Sequence, residues 1–109
     1  MAISKAASFA PVAVQLAAWA HALSHPARIA ILQVLAARQT CICGEIVDEL
    51  PLAQATVSQH LKALKKAGLV VGTIDGPRSC YCLDREALGL AREALETLFT
   101  DLDRQPGCC

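Results

Sequence analysis

The stretch from Gln54 to Leu83, QATVSQHLKALKKAGLVVGTIDGPRSCYCL, leaves few folds open. Val57, Leu61 and Leu64 recur at helical spacing, with Lys62, Lys65 and Lys66 off that stripe, so the segment starts as an amphipathic helix. Gly68 ends it, as glycine commonly ends helices. Two strand-like runs, LVVGTI and RSCYCL, then flank the turn signal Asp75-Gly76-Pro77, which predicts a hairpin. A helix feeding directly into a small hairpin is the frame into which the rest of the chain has to fit.

Upstream, Pro11 suits a first helical position, and Val12, Leu16, Trp19 and Leu23 predict a helix to about Ala22. LSHPARIAILQVLA restarts the pattern, with Ser24 or His25 as cap, Pro26 in the first turn, and Ile29, Leu32 and Leu35 on one face. After Thr40 a short extended piece holds Cys41, Ile42 and Cys43, and a short helix is expected from about Gly44 to Leu50, ended by Pro51. Downstream of the hairpin, Asp84 caps a last helix carrying Leu88, Ala91, Leu95, Leu98 and Phe99, and RQPGCC is a frayed tail. The apolar fraction of 54% argues against disorder, and only 4% aromatic residues among abundant Ala and Leu favour packed helices over a sandwich of sheets. No repeat or low-complexity linker divides the chain. The expectation is one domain over residues 1–109, with a helix-turn-helix at about 44–67, a wing at about 70–83 and a flexible tail at 104–109.

Helix, turn, helix, hairpin is the winged helix-turn-helix order, mostly α with a small β wing, in which the second helix of the pair enters the major groove of DNA. Net charge is zero, but its distribution is uneven. From Gln54 to Leu83 the charges are Lys62, Lys65, Lys66 and Arg78 against Asp75 alone, whereas the last helix is acidic on balance. Gln54, Thr56, Ser58 and Gln59 lie near the start of their helix and away from its apolar face, where short polar groups reach base edges. Lys62, Lys66 and Arg78 suit phosphates. His60 flanks the buried stripe, so packing or capping competes with a DNA contact there.

Lys5 and the Ala-rich residues after it, ending in AWAHA, have the outline of a secretory signal, but Ser8, Pro11 and Gln15 interrupt it and no dense Leu-rich centre follows. No apolar run reaches the roughly 18 residues of a spanning helix. A cytoplasmic protein without a membrane partner is expected, and its six cysteines then read as ligands or redox sensors before structural disulfides.

Over about residues 22–83 the chain resembles the ArsR/SmtB family of metal-responsive winged-helix repressors, through LSHPARIAILQVL, CICGEIV, LPLAQATVSQHLKALKKAGLV and GPRSCYCL in that order. The resemblance implies a homodimer built on the first and last helices, bound to double-stranded operator DNA near its own operon and released by an inducer. It places the family's DNA contacts on Gln54, Ser58 and Gln59. Two departures stand beside Gln54, where the usual serines are Ala53 and Ala55. Loss of a serine cap costs about 1 kcal/mol, and the missing hydroxyl at position 55 bears on operator preference.

Family members with Cys-x-Cys at this position use the thiolates for soft ions, chiefly As(III), Sb(III), Cd(II) or Pb(II), which maps onto Cys41 and Cys43. The zinc-sensing branch places imidazole and carboxylate ligands on the last helix, and residues 85–104 contain no histidine. The third thiol that arsenic repressors often carry shortly after the pair is absent, since Ile46, Val47 and Asp48 stand there. Alternation suggests its replacement. In strands, residues i and i+2 share a face, so inward Ile42, Tyr81 and Leu83 send Cys41, Cys43, Cys80 and Cys82 outward. If the strand before the short helix pairs with the second wing strand, as in winged helices, the four thiols form one patch. Trivalent arsenic takes three thiolates, and soft sulfur ligands select thiophilic ions. Cys108 and Cys109 are the less favoured candidates.

The competing regulatory reading is a thiol redox or persulfide sensor, in which Cys41 or Cys43 oxidises with Cys80 or Cys82. An enzyme is not expected: neither a C-x-x-C redox motif within a βαβ pattern nor a recognisable nucleophile triad, phosphate loop or catalytic carboxylate pair occurs.

Overall fold

The computed structural model describes residues 8–38, 41–43, 50–75, 78–104 and 107, and for Cys43 the backbone alone. Helix α1 spans Pro11–Ala22 and α2 Pro26–Arg38, strand β1 is Ile42–Cys43, helix α3 spans Gln54–Lys66, strands β2 and β3 are Val70–Thr73 and Cys80–Leu83, and helix α4 spans Arg85–Asp103. The short helix expected from about Gly44 falls almost wholly on residues outside those described, as do Gly76, Pro77, Cys108 and Cys109.

Local chemistry accounts for the boundaries. Pro11 opens α1, where its missing N–H leaves no bond unmade. At the start of α2 the cap falls to His25, whose Nδ1 accepts from the Ala27 N–H at 3.0 Å, while the Ser24 hydroxyl turns back and donates to the His21 carbonyl at 2.6 Å. Helix α3 begins on Ala53 with no side-chain cap, as the lost serine implies. Its end is a Schellman motif: Gly68 takes φ +86°, its N–H donates to the Lys65 carbonyl, and the Leu69 N–H donates to that of Leu64. Asp84 caps α4, accepting from the Ala87 N–H at 3.0 Å.

The strands form one antiparallel sheet in the order β1-β3-β2. Ile42 stands opposite Tyr81 and Cys43 opposite Cys80, while on the other edge Gly72 faces Tyr81 and Thr73 faces Cys80. Gly72 sits at φ +120°, and a Cβ there would lie 2.7 Å from the Tyr81 Cα and nearer still to the Cys80 carbonyl oxygen. Only glycine lets β2 and β3 approach this closely.

The core lies where α2 and α3 meet the sheet: Ile31 and Leu35 from α2, Val57, Leu61 and Leu64 from α3, and Ile42, Leu69, Val70 and Tyr81 from the sheet and its lead-in. Three expected faces differ from the observed ones. On α2 the buried residues are Ile31 and Leu35, whereas Ile29 is 38% exposed. On α1, Leu16 and Trp19 are half-buried, but Val12 faces outward. Helix α4 packs along α1 and buries Ala91, leaving Leu98 and Phe99 of its expected stripe exposed.

Candidate nucleic-acid interface and thiol face

The stripe that buries Val57, Leu61 and Leu64 turns the opposite side of α3 to solvent. Gln59, Lys62 and Lys66 are exposed there, and Gln54, Thr56 and Ser58 are half-buried along its edge. Gln54 and Ser58, one turn apart, are joined by a hydrogen bond from the Gln54 amide nitrogen to the Ser58 hydroxyl at 3.2 Å. Such a bond holds a long, flexible side chain in one direction and reduces the rotamer freedom lost on binding. At the wing, Arg78 is exposed, and its N–H donates to the Asp75 carbonyl. The buried Ser79 hydroxyl accepts from the Asp75 N–H at 2.6 Å, closing the tip. Polar side chains and exposed cations, of the kinds that suit base edges and phosphates, thus sit on one helix and one hairpin held by a common core.

Sequence reasoning missed a cluster behind this surface. Arg28, in the first turn of α2, donates from Nε to His60 Nδ1 at 3.2 Å and from Nη1 to the His21 carbonyl at 3.3 Å. The His25 and His60 rings lie 4.5 Å apart between centroids. One guanidinium therefore ties the end of α1 to the middle of α3. Burial first, then the charges of His25 and Arg28, holds His60 below its ordinary 6.5. His60 thus packs against the His25 ring and accepts from Arg28. The available signal was the spacing of SHPAR, which places a ring and a guanidinium together at a helix start.

On the sheet, Ile42 and Tyr81 point inward and are buried, so the residues beside them emerge on the outer face. Cys41 is exposed and Cys82 half-buried. The Cys41 thiol beside it pushes the Cys82 thiol above its usual value, with burial and the charge of Asp84 acting in the same direction. Cys80, two residues along the same face, is disulfide-bonded. The backbone of Cys43 stands opposite Cys80. The two Cys-x-Cys segments thus lie side by side on adjacent strands, and Cys108 and Cys109 fall outside the described residues. Among the described residues no group of three or more His, Cys, Asp or Glu side chains is gathered closely enough to hold an ion. Nor is any described helix long and apolar enough to cross a membrane.

Residues 23–73 match the model of a helix-turn-helix domain family. The chain is 48% identical over 62 residues to the HTH-type transcriptional repressor SmtB of Mycobacterium tuberculosis, a match covering 57% of this chain and 45% of that protein, so it spans about half the length of that relative. It is 31% identical over 78 residues to the arsenical resistance operon repressor of Staphylococcus xylosus, covering 72% of this chain and 74% of that one. An ArsR-like transcriptional regulator from Rhodococcus sp. RHA1 superposes with a TM-score of 0.68 at 26% identity, over 87% of this chain and 89% of the other.

Proposed function

We propose that this chain, which belongs to the ArsR/SmtB family of helix-turn-helix transcription regulators, is a homodimeric repressor that leaves its operator when thiolates on the outer sheet face take As(III) or Sb(III). The observation that carries the reading is the side-by-side placement of Cys41-x-Cys43 and Cys80-x-Cys82 on adjacent antiparallel strands. In the reduced protein this gathers sulfur donors on one face, and sulfur donors favour thiophilic ions over hard cations. The name of the Staphylococcus relative, an arsenical resistance repressor, supports the same class of inducer.

The reading side is α3 and the wing. Gln54, Ser58 and Gln59 meet base edges, with Thr56 beside them, and Lys62, Lys66 and Arg78 meet phosphates. One α3 spans few base pairs, so two copies reading an inverted repeat supply the specificity. Release needs an ion that binds the DNA-free form better than the DNA-bound one. Strand β3 links the two functions: it carries Cys80 and Cys82, pairs with β1, and forms the wing with β2. An ion that draws β1 toward β3 changes how the wing sits relative to α3.

The test is arsenite-driven release of a fluorescent duplex carrying the inverted repeat. Cys43→Ser should keep operator affinity and lose release, whereas Cys108→Ser with Cys109→Ser should keep most of both. If the tail double variant alone loses the response while each sheet cysteine is dispensable, the sheet site is wrong. Release by Cd(II) or Pb(II) but not by arsenite would reassign the ion.

A second reading, a thiol redox or persulfide sensor, is favoured by one observation: Cys80 is already disulfide-bonded. Arsenite release that persists in excess reductant favours the ion, and release by oxidant alone favours the redox sensor.

A further inference from the structure

We infer that Cys41 and Cys82 form a redox rung on the outer sheet face, closing to an intramolecular disulfide by exchange with a low-molecular-weight disulfide. The inference deepens the thiol-redox reading and rests on it only for the consequence to DNA binding.

Three observations converge. The register sets Ile42 opposite Tyr81, so one step outward brings Cys41 level with Cys82, and both are free thiols. Residues directly opposite in antiparallel strands have Cα atoms roughly 4.5 to 5.5 Å apart, inside the roughly 4.4 to 6.8 Å that a disulfide spans. The backbone pair Cys43/Cys80 lies two residues along the ladder and is of the same geometric type, and Cys80 on this face is disulfide-bonded.

The two sulfurs are not equivalent. Cys41 is exposed, while Cys82 is half-buried. An external disulfide reaches the exposed sulfur, so Cys41 acts first. After losing its proton to solvent, Cys41 Sγ attacks one sulfur of the external disulfide, forming a mixed disulfide and expelling one thiolate. Cys82 then loses its proton, attacks Cys41 Sγ and expels the second thiolate. The protein loses two hydrogens and two electrons, and the external disulfide is reduced to two thiols.

The step also links the two readings of the sulfur face. Cys41 and Cys82 removed as a disulfide no longer serve as thiolate ligands, and trivalent arsenic takes three thiolates.

The experiment uses the full chain with Cys43→Ser and Cys80→Ser, titrated with reduced and oxidised glutathione and analysed by intact mass and peptide mapping, with no metalloid present. The expected result is a peptide cross-linking Cys41 to Cys82, the loss of both thiols to alkylation, and full reversal by dithiothreitol. Adding Cys82→Ser should halt the reaction at a glutathione adduct on Cys41. Separate adducts on both cysteines without a cross-link, or a cross-link from either to Cys108 or Cys109, would overturn the inference. Should the variant fold poorly, differential alkylation of the unmodified protein decides: Cys41 and Cys82 must lose reactivity together, and loss of one alone overturns the rung. If the cross-link forms and operator affinity does not change, the redox reading of function fails while the chemistry stands. An inert response to arsenite bears on the metalloid reading alone.

Discussion

Helices α3 and α4 are both strongly amphipathic, yet one chain completes only the first. Helix α3 presses Val57, Leu61 and Leu64 into the core and leaves a polar, basic face outside. Helix α4, at 19 residues the longer, buries Ala91 and exposes Leu90, Leu98, Phe99 and Leu102, while Phe9 and Val12 at the start of α1 are exposed as well. The stripe on α3 is matched by α2 and the sheet of the same molecule, whereas the stripe on α4 is wider than α1 covers. Large apolar side chains left exposed on α4 and at the start of α1 are the kind of surface that an interface covers, and the proposed homodimer would pack its second copy there. The contrast separates two jobs. The core under α3 holds its exposed face in shape, and in the proposed homodimer the outer helices would set the spacing between two such faces.

Substitutions can break or sharpen that contrast. The largest effect is expected at Leu64, which is fully buried on α3. Leu64→Ala should cost about 2 to 5 kcal/mol, read as a lower midpoint in urea, and a near-neutral result would mean that the core does not rest on α3. Next come Leu98→Ala and Phe99→Ala together, which should leave the helical signal intact while weakening dimerisation by at least about 2 kcal/mol, read by sedimentation. A variant that unfolds instead would place the stripe of α4 inside the chain's own stability, and the contrast would fail. The smallest is Gln59→Ala on the exposed face of α3. It should lower operator affinity by about 1 to 3 kcal/mol more than affinity for random DNA. Equal losses on both duplexes would assign Gln59 to the backbone.

What the sequence made legible tracks how sharply each segment contrasts its faces. Helix α3 was readable because its charges avoid one side, and its stop was readable because Gly68 serves a left-handed position. The pairing of β1 with β3 followed from alternation about Ile42 and Tyr81, together with the strand order that the family resemblance supplied. Helix α2 was harder: Ile29, Ile31, Leu32, Val34 and Leu35 spread apolar character around the helix, and spacing alone does not choose Ile31 over Ile29. Helix α4 misled in another way, because its periodicity is real but Leu98 and Phe99 of its stripe stay exposed. Arg28 was passed over because a cation in a first helical turn usually signifies solvent, and its acceptors, His60 and the end of α1, are distant in sequence or on another element. The disulfide at Cys80 was open at the sequence level, since spacing places thiols on a face without stating their oxidation state.

The central place of β3 also limits which motions remain open to the sulfur face. Pinned along both edges, β3 cannot slip by one residue without turning Cys80 and Cys82 into the core and Tyr81 out to water. Gly72 bars a second route, because the close approach of β2 leaves no slack to be taken up between those strands. Gradual sliding is therefore forbidden, and what remains is a tilt of the ribbon as a single plate. Under the proposed function the sheet would act as a rocker, with thiol chemistry at one edge delivered at the other as an angle.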